Sequence, residues 1–143
     1  MAATTSKISR FEQALVNSMD WLRDVQDELD LDEQDTYQCL RAVFHALRDR
    51  LPPAEVAVLG RQLPMVVCGI YYEGWVPGGT SSGSIDDFLA DVAGALKSAQ
   101  GPEIDPRGAV GGVLRVLGRR LPQAELDLVV QAAPAIVREY LAI

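Results

Sequence analysis

"DTYQCLRAVFHALRDRLPPAEVAVLGRQLPMVVCGIYYE", residues 35–73, decides the fold, because the chain runs through it twice. Residues 105–143, "DPRGAVGGVLRVLGRRLPQAELDLVVQAAPAIVREYLAI", align with it without a gap. Asp35, Val43 and Leu47 meet Asp105, Val113 and Leu117. Arg50-Leu51-Pro52 meets Arg120-Leu121-Pro122, and Ala54-Glu55, Pro64 and Val67 meet Ala124-Glu125, Pro134 and Val137. Upstream, "DWLRDVQDEL" from Asp20 aligns with "DFLADVAGAL" from Asp87; the second copy has three extra residues in the loop that follows. Such self-similarity marks a unit that buries its apolar face against its own copy. The expectation is a single all-α domain, 1–143, built from two pseudo-symmetric units of three to four helices, 8–73 and 84–143. A Gly/Ser-rich connector, 74–83, joins them.

Each unit reads as helices. The first carries Trp21, Leu22, Val25 and Leu29, or Phe88, Leu89, Val92 and Leu96, at helical spacing. The second carries Leu40, Val43, Phe44, Leu47 and Leu51, or Val110, Val113, Leu114, Leu117 and Leu121. Asp35 is expected to cap it, with Gln38 completing a capping box; in the copy Asp105 caps and Pro106 takes the first helical position. "LPPAE" and "LPQAE" end that helix and start a third, since the residue before a proline avoids the helical region. The third carries Val56, Leu59, Leu63, Val66, Val67 and Ile70, with Pro64 inside it and Pro134 at the aligned place. An interior proline kinks or breaks a helix. Six helices are expected, or eight if both prolines break fully. No alternating strand pattern runs beyond a few residues.

The composition, 48% apolar and 23% charged, is that of a globular chain. A net charge of −7 opposes nucleic-acid binding. The N-terminus lacks an apolar signal core, and no run of about 18 apolar residues occurs. The expectation is a cytoplasmic protein without a membrane span. Cys39 and Cys68 lie in helical patterns and read as buried thiols in a reducing compartment.

Candidate sites begin with "YYEGWVP", residues 71–77. Tyr71 and Tyr72 extend the third helix, and Gly74 ends it in a left-handed turn. Trp75 and one tyrosine are expected to fold into the seam between the units. The alternative is a contact surface of Tyr71, Tyr72, Glu73 and Trp75, with "GGTSSGS" as a mobile lip. His45 falls opposite the apolar stripe, between Arg41 and Arg48, with no nucleophile placed for it to activate. "DVQDELDLDEQD", residues 24–35, fails the calcium-loop pattern, with Asp35 and Arg41 where Gly and Glu are required. Seven arginines, Arg41, Arg48, Arg50, Arg107, Arg115, Arg119 and Arg120, concentrate in the second helices. "GAVGGV", 108–113, follows no strand and suits close helix approach better than a phosphate.

Arg41-Ala42-Val43, His45 to Pro53, Gln62-Leu63-Pro64 and Gly69 to Pro77 together resemble the bacterial family known as domain of unknown function 2267. The resemblance implies an all-helical cytoplasmic protein and carries no activity. The second copy lacks the histidine and ends before any "YEGW", so a site built on these residues occurs once.

With no nucleophile–base pair, metal cluster or phosphate loop, the reading is a non-enzymatic interaction or adaptor module without cofactor or metal. Its partner is a protein or a second copy. One alternative is a small-molecule binder with an aromatic pocket of Tyr71, Tyr72 and Trp75 and His45 at its rim. Another is a DNA-binding regulator using the arginine helices side by side.

Overall fold

Proline marks the boundaries of this fold. The computed structural model describes residues 2–78, 83–97 and 103–141, with side chains from Ser9 onward. Eight helices and no strand occur among them: α1 (Ala2–Leu29), α2 (Glu33–Arg48), α3 (Pro53–Arg61), α4 (Met65–Tyr72), α5 (Ile85–Leu96), α6 (Pro106–Arg120), α7 (Gln123–Ala132) and α8 (Ala135–Leu141). Both interior prolines break the chain fully. Pro64 takes extended backbone at φ −64, ψ 158 and precedes α4, and Pro134 separates α7 from α8. The fold is all-α, as expected. The residues 79–82 of the connector, and with them most of the expected lip, lie outside the described residues.

Two local readings change. The cap of α2 is Asp32, whose side chain accepts the Asp35 N–H at 2.8 Å. Asp35 therefore sits inside the first turn, where its charge suits the helix dipole, and it does not form the expected box with Gln38. In the aligned stretch Asp105 does cap α6, accepting from Arg107 and Gly108, with Pro106 following. The second change is the broken third helix. Val56, Leu59, Leu63 and Val67 are buried, but Val66 is left 44% exposed, because the turn at Pro64 interrupts the stripe. The sequence reading also missed how far α1 runs toward the N-terminus.

α2 and α6 are the central layer. α2 buries Cys39, Leu40, Ala42, Val43, Phe44, Ala46 and Leu47, and α6 buries Ala109 to Leu114, Val116 and Leu117. These residues cover most of each helix's circumference, as a helix enclosed by neighbours requires. α2 packs on α1, α4, α5 and α6; α6 packs on α1, α2, α5 and α8; α3 meets α7. The helices that aligned in sequence thus cross over: α5 lies on α2, and α1 on α6.

Two arginines pin these crossings. Arg50 follows α2 and donates Nη2 to Asp91 of α5 at 2.8 Å, its guanidinium 5.2 Å from the Phe88 ring centre. Arg120 ends α6 and holds Asp24 of α1, with Nε at 2.6 Å, and lies 5.4 Å from the Trp21 ring centre. Arg50 with Arg120, Asp24 with Asp91 and Trp21 with Phe88 are aligned pairs in the sequence. Glu28 adds a third link, bonded to Arg115 at 3.2 Å and Arg119 at 2.6 Å, which hold its carboxyl below the usual range.

Gly112 shows how closely α1 rides on α6. A methyl group there would collide with the Leu29 side chain, 3.0 Å from its Cγ and closer to Cδ2, and would touch the Glu28 Cβ at 3.5 Å. Gly94 in α5 faces open space. Gly112→Ala is therefore expected to destabilise by about 1–2 kcal/mol, since overpacking outweighs helix propensity. Gly94→Ala should stabilise by about 0.5–1 kcal/mol. Urea unfolding of the two variants checks the opposite signs.

Candidate functional site

α4, "MVVCGIYY", is too short to persist alone. It lasts because other helices satisfy both of its ends. The N-terminal proline supplies no side-chain cap; instead the Val66 N–H donates to Ser18 Oγ of α1 at 3.0 Å. At the other end α2 supplies the donors. His45 Nε2–H donates to Ile70 O at 2.7 Å. Arg48 Nη1 donates to Tyr71 O and Glu73 O, both at 2.8 Å. These are the carbonyls that a helix C-terminus leaves orphaned, and cations there suit its dipole. Arg41 binds Glu73 from the same helix, Nε at 2.7 Å and Nη2 at 2.6 Å, and this holds the Glu73 carboxyl below its usual range. Gly74 then turns the chain at φ 73.

The rings form one continuous stack of edge-to-face and tilted contacts: Trp21, Phe44, Tyr71, Tyr72 and Trp75, with successive centres 6.4, 5.8, 4.9 and 5.7 Å apart. Tyr71 is fully buried and donates its hydroxyl to Val56 O at 2.9 Å; burial pushes that hydroxyl's pKa far up. Tyr72 lies over Gly60, where a Cβ would meet its ring carbons at 2.7 Å. The expected burial of Trp75 and a tyrosine in the seam between halves is thus corrected. α1, α2 and α4 supply Trp21, Phe44, Tyr71 and Tyr72, Trp75 follows on Tyr72, and of these rings Trp21 also meets Arg120 at the end of α6.

The candidate contacts consequently separate. Tyr71 is sealed inside, Tyr72 and Trp75 are half-buried, and Glu73 is exposed but ion-paired. His45 does not lie on an open polar face. It is half-buried between Ile70, Arg48, Arg41 and Glu73, and burial above all lowers its pKa. Cys39 and Cys68 are free thiols, pushed up by burial, Cys39 to about 11. They are poor nucleophiles for that reason.

Beyond the stack, Trp75 forms one wall of a cavity of about 440 Å³. Pro52, Pro53, Val76, Arg48, Asp49 and Arg50 also line it. Val76 is 73% exposed. Arg48 is held by Asp49 at 2.9 Å. The Arg50 side chain is only 1% exposed, and its Nε has no hydrogen-bond partner among the described residues. The sequence reading did not place Ser18, Gly60 or the two prolines at this site. Their roles depend on contacts distant in sequence, and only the prolines carried a local signal.

Among the described residues no group of His, Cys, Asp or Glu could hold a metal ion, and no helix is long and apolar enough to cross a membrane.

His45 gives a pH dependence with a definite sign. Its folded pKa is depressed, so the unfolded chain takes up the proton first. Stability is full above the unfolded value, about 6.5, and falls as pH drops through it toward the lower folded value. Urea midpoints between about pH 7.5 and 5 should fall more steeply for the wild type than for His45→Gln, which keeps a donor for Ile70 O. Equal slopes would contradict the assignment.

The two motif stretches, His45 to Pro53 and Gly69 to Pro77, thus meet at one place, with α2 capping α4 and the cavity beside them. No curated protein matches the chain. The family model described as "Uncharacterized conserved protein (DUF2267)" matches residues 18–140, and the chain belongs to that family.

Proposed function

We propose that the chain is a non-enzymatic interaction module whose two helical halves are related by a pseudo-two-fold axis. The crossed pairs, Arg50 on Asp91 and Phe88, Arg120 on Asp24 and Trp21, support the symmetry. One observation carries the interaction reading. Phe11, Leu15, Ser18, Leu22, Val25 and Leu29 form a stripe at alternating spacings of four and three along α1. Its C-terminal part packs into the core, while Phe11 and Leu15 remain 79% and 50% exposed. Met65 at 71% and Val66 at 44% extend the apolar surface, since the Ser18–Val66 bond sets the start of α4 beside that turn of α1. A four–three seam is the pattern that receives another helix, and grouped exposed apolar side chains mark interaction surfaces. The partner argued for is a helix of a second copy.

A nucleic-acid reader is less well supported. Of the seven arginines on or just after the central helices, Arg41, Arg48, Arg50, Arg115, Arg119 and Arg120 are all bound to carboxylates.

Sedimentation across about 1–100 µM should show the mass rising with concentration. Phe11→Asp with Leu15→Asp should return the chain to a single-chain mass. Its unfolding free energy should stay within about 0.5 kcal/mol of wild type, because both side chains are exposed. A wild type that keeps single-chain mass throughout would overturn self-association.

A further inference from the structure

We propose that α1 of a second copy, led by Phe11, docks in the cleft between α5, α6 and α8. The proposal rests on the self-association reading and names the surface that receives the partner. From Ser9 to Asn17 no side chain of α1 is buried. Phe11, 79% exposed, therefore does not occupy any cleft of its own chain. α5 begins at Ile85, the residue aligned with Ser18, whereas α1 runs on from Ser18 to Ala2. Beside the start of α5 lies a cleft of about 540 Å³, within the roughly 300–1,000 Å³ of ordinary binding pockets. Ile85, Ile136 and Tyr140 give it an apolar surface suited to an aromatic ring.

The charges of the two surfaces mirror each other. Asp86, Glu139 and Arg107 line the cleft, two carboxylates with one cation. Residues 7–16, "KISRFEQALV", carry two cations with one carboxylate. Arg107 is the arginine of the seven that has no carboxylate partner among the described residues. Asp86, Glu139, Arg107, Arg10 and Glu12 are all exposed. Opposite charges across a contact select the partner and fix its register. Arg10 and Glu12 flank Phe11 in sequence, so a ring seated in the cleft brings Glu12 to Arg107 and Arg10 to the two carboxylates. Two copies that exchange α1 in this way form a closed two-fold pair.

The test is sedimentation of the full chain at about 1–100 µM. Ile85→Asp spoils the cleft, and Phe11→Asp with Leu15→Asp spoils α1. Each variant alone is expected to keep a single-chain mass. Mixed, they should pair, because the intact α1 of one meets the intact cleft of the other. Arg107→Glu, in the first turn of α6 where a carboxylate suits the helix dipole, should weaken the association at least about tenfold, and adding Glu12→Arg should restore it to within about threefold. Melting temperatures separate lost association from lost fold; if Ile85→Asp melts early, Arg107→Glu replaces it in the mixture. A wild type of single-chain mass would overturn self-association and the docking with it. Association that both cleft variants keep would overturn the docking alone and assign the contact to α1 against α1. A mixture that stays at single-chain mass would also overturn the docking.

Discussion

The structure depends on a crossing made by two arginines. Each leaves the end of a central helix and reaches a helix distant in sequence, α5 for Arg50 and α1 for Arg120. There it meets a carboxylate and the face of a ring. Arginine suits this task because its planar cation stacks on an aromatic face while donating at its edge. Arg50 also returns Nη1 to Ala46 O at 2.9 Å, closing the end of its own helix. With these contacts fixed, α5 lies on α2, α1 lies on α6, and the apolar faces of both central helices are covered.

The two aligned stretches of sequence differ in what they hold. In the first, Ser18, His45 and Arg48 satisfy the ends of α4, and Gly60 makes room for Tyr72. The aligned residues in the second are Ile85, Arg115, Gly118 and Val130; Ile85 and Gly118 carry no polar side-chain group for a helix end, and Val130 has a side chain where Gly60 has none. Arg115 instead binds Glu28 of α1. Ser18, His45 and Arg48 thus hold the helix that leads into "YYEGWVP", and Trp75 lines a cavity together with Arg48, Asp49 and Arg50.

The sequence carried the helices well, because periodicity, proline and glycine act locally. The stripe from Leu40 to Leu51, the breaks at Pro64 and Pro134 and the left-handed Gly74 are all legible before folding. The cap of α2 was misplaced by one turn because Asp32 and Asp35 offer the same chemistry. His45 could not be read from its own helix: its neighbours there are arginines, but its partner is a carbonyl 25 residues away. The ring-rich stretch signalled burial, yet only the packing of α4 on α1 and α2 shows which rings are sealed and which remain accessible.

The most direct test of this account is a pair of double-mutant cycles, Arg50 with Asp91 and Arg120 with Asp24, read as unfolding free energies. Residues in direct contact are expected to show coupling of about 0.5–3 kcal/mol in each cycle. The Arg50 cycle should give the larger value, because its guanidinium is the more deeply buried. Additive single-mutant effects in both cycles would mean that the arginines do not tie the central helices to α5 and α1, and would contradict the account.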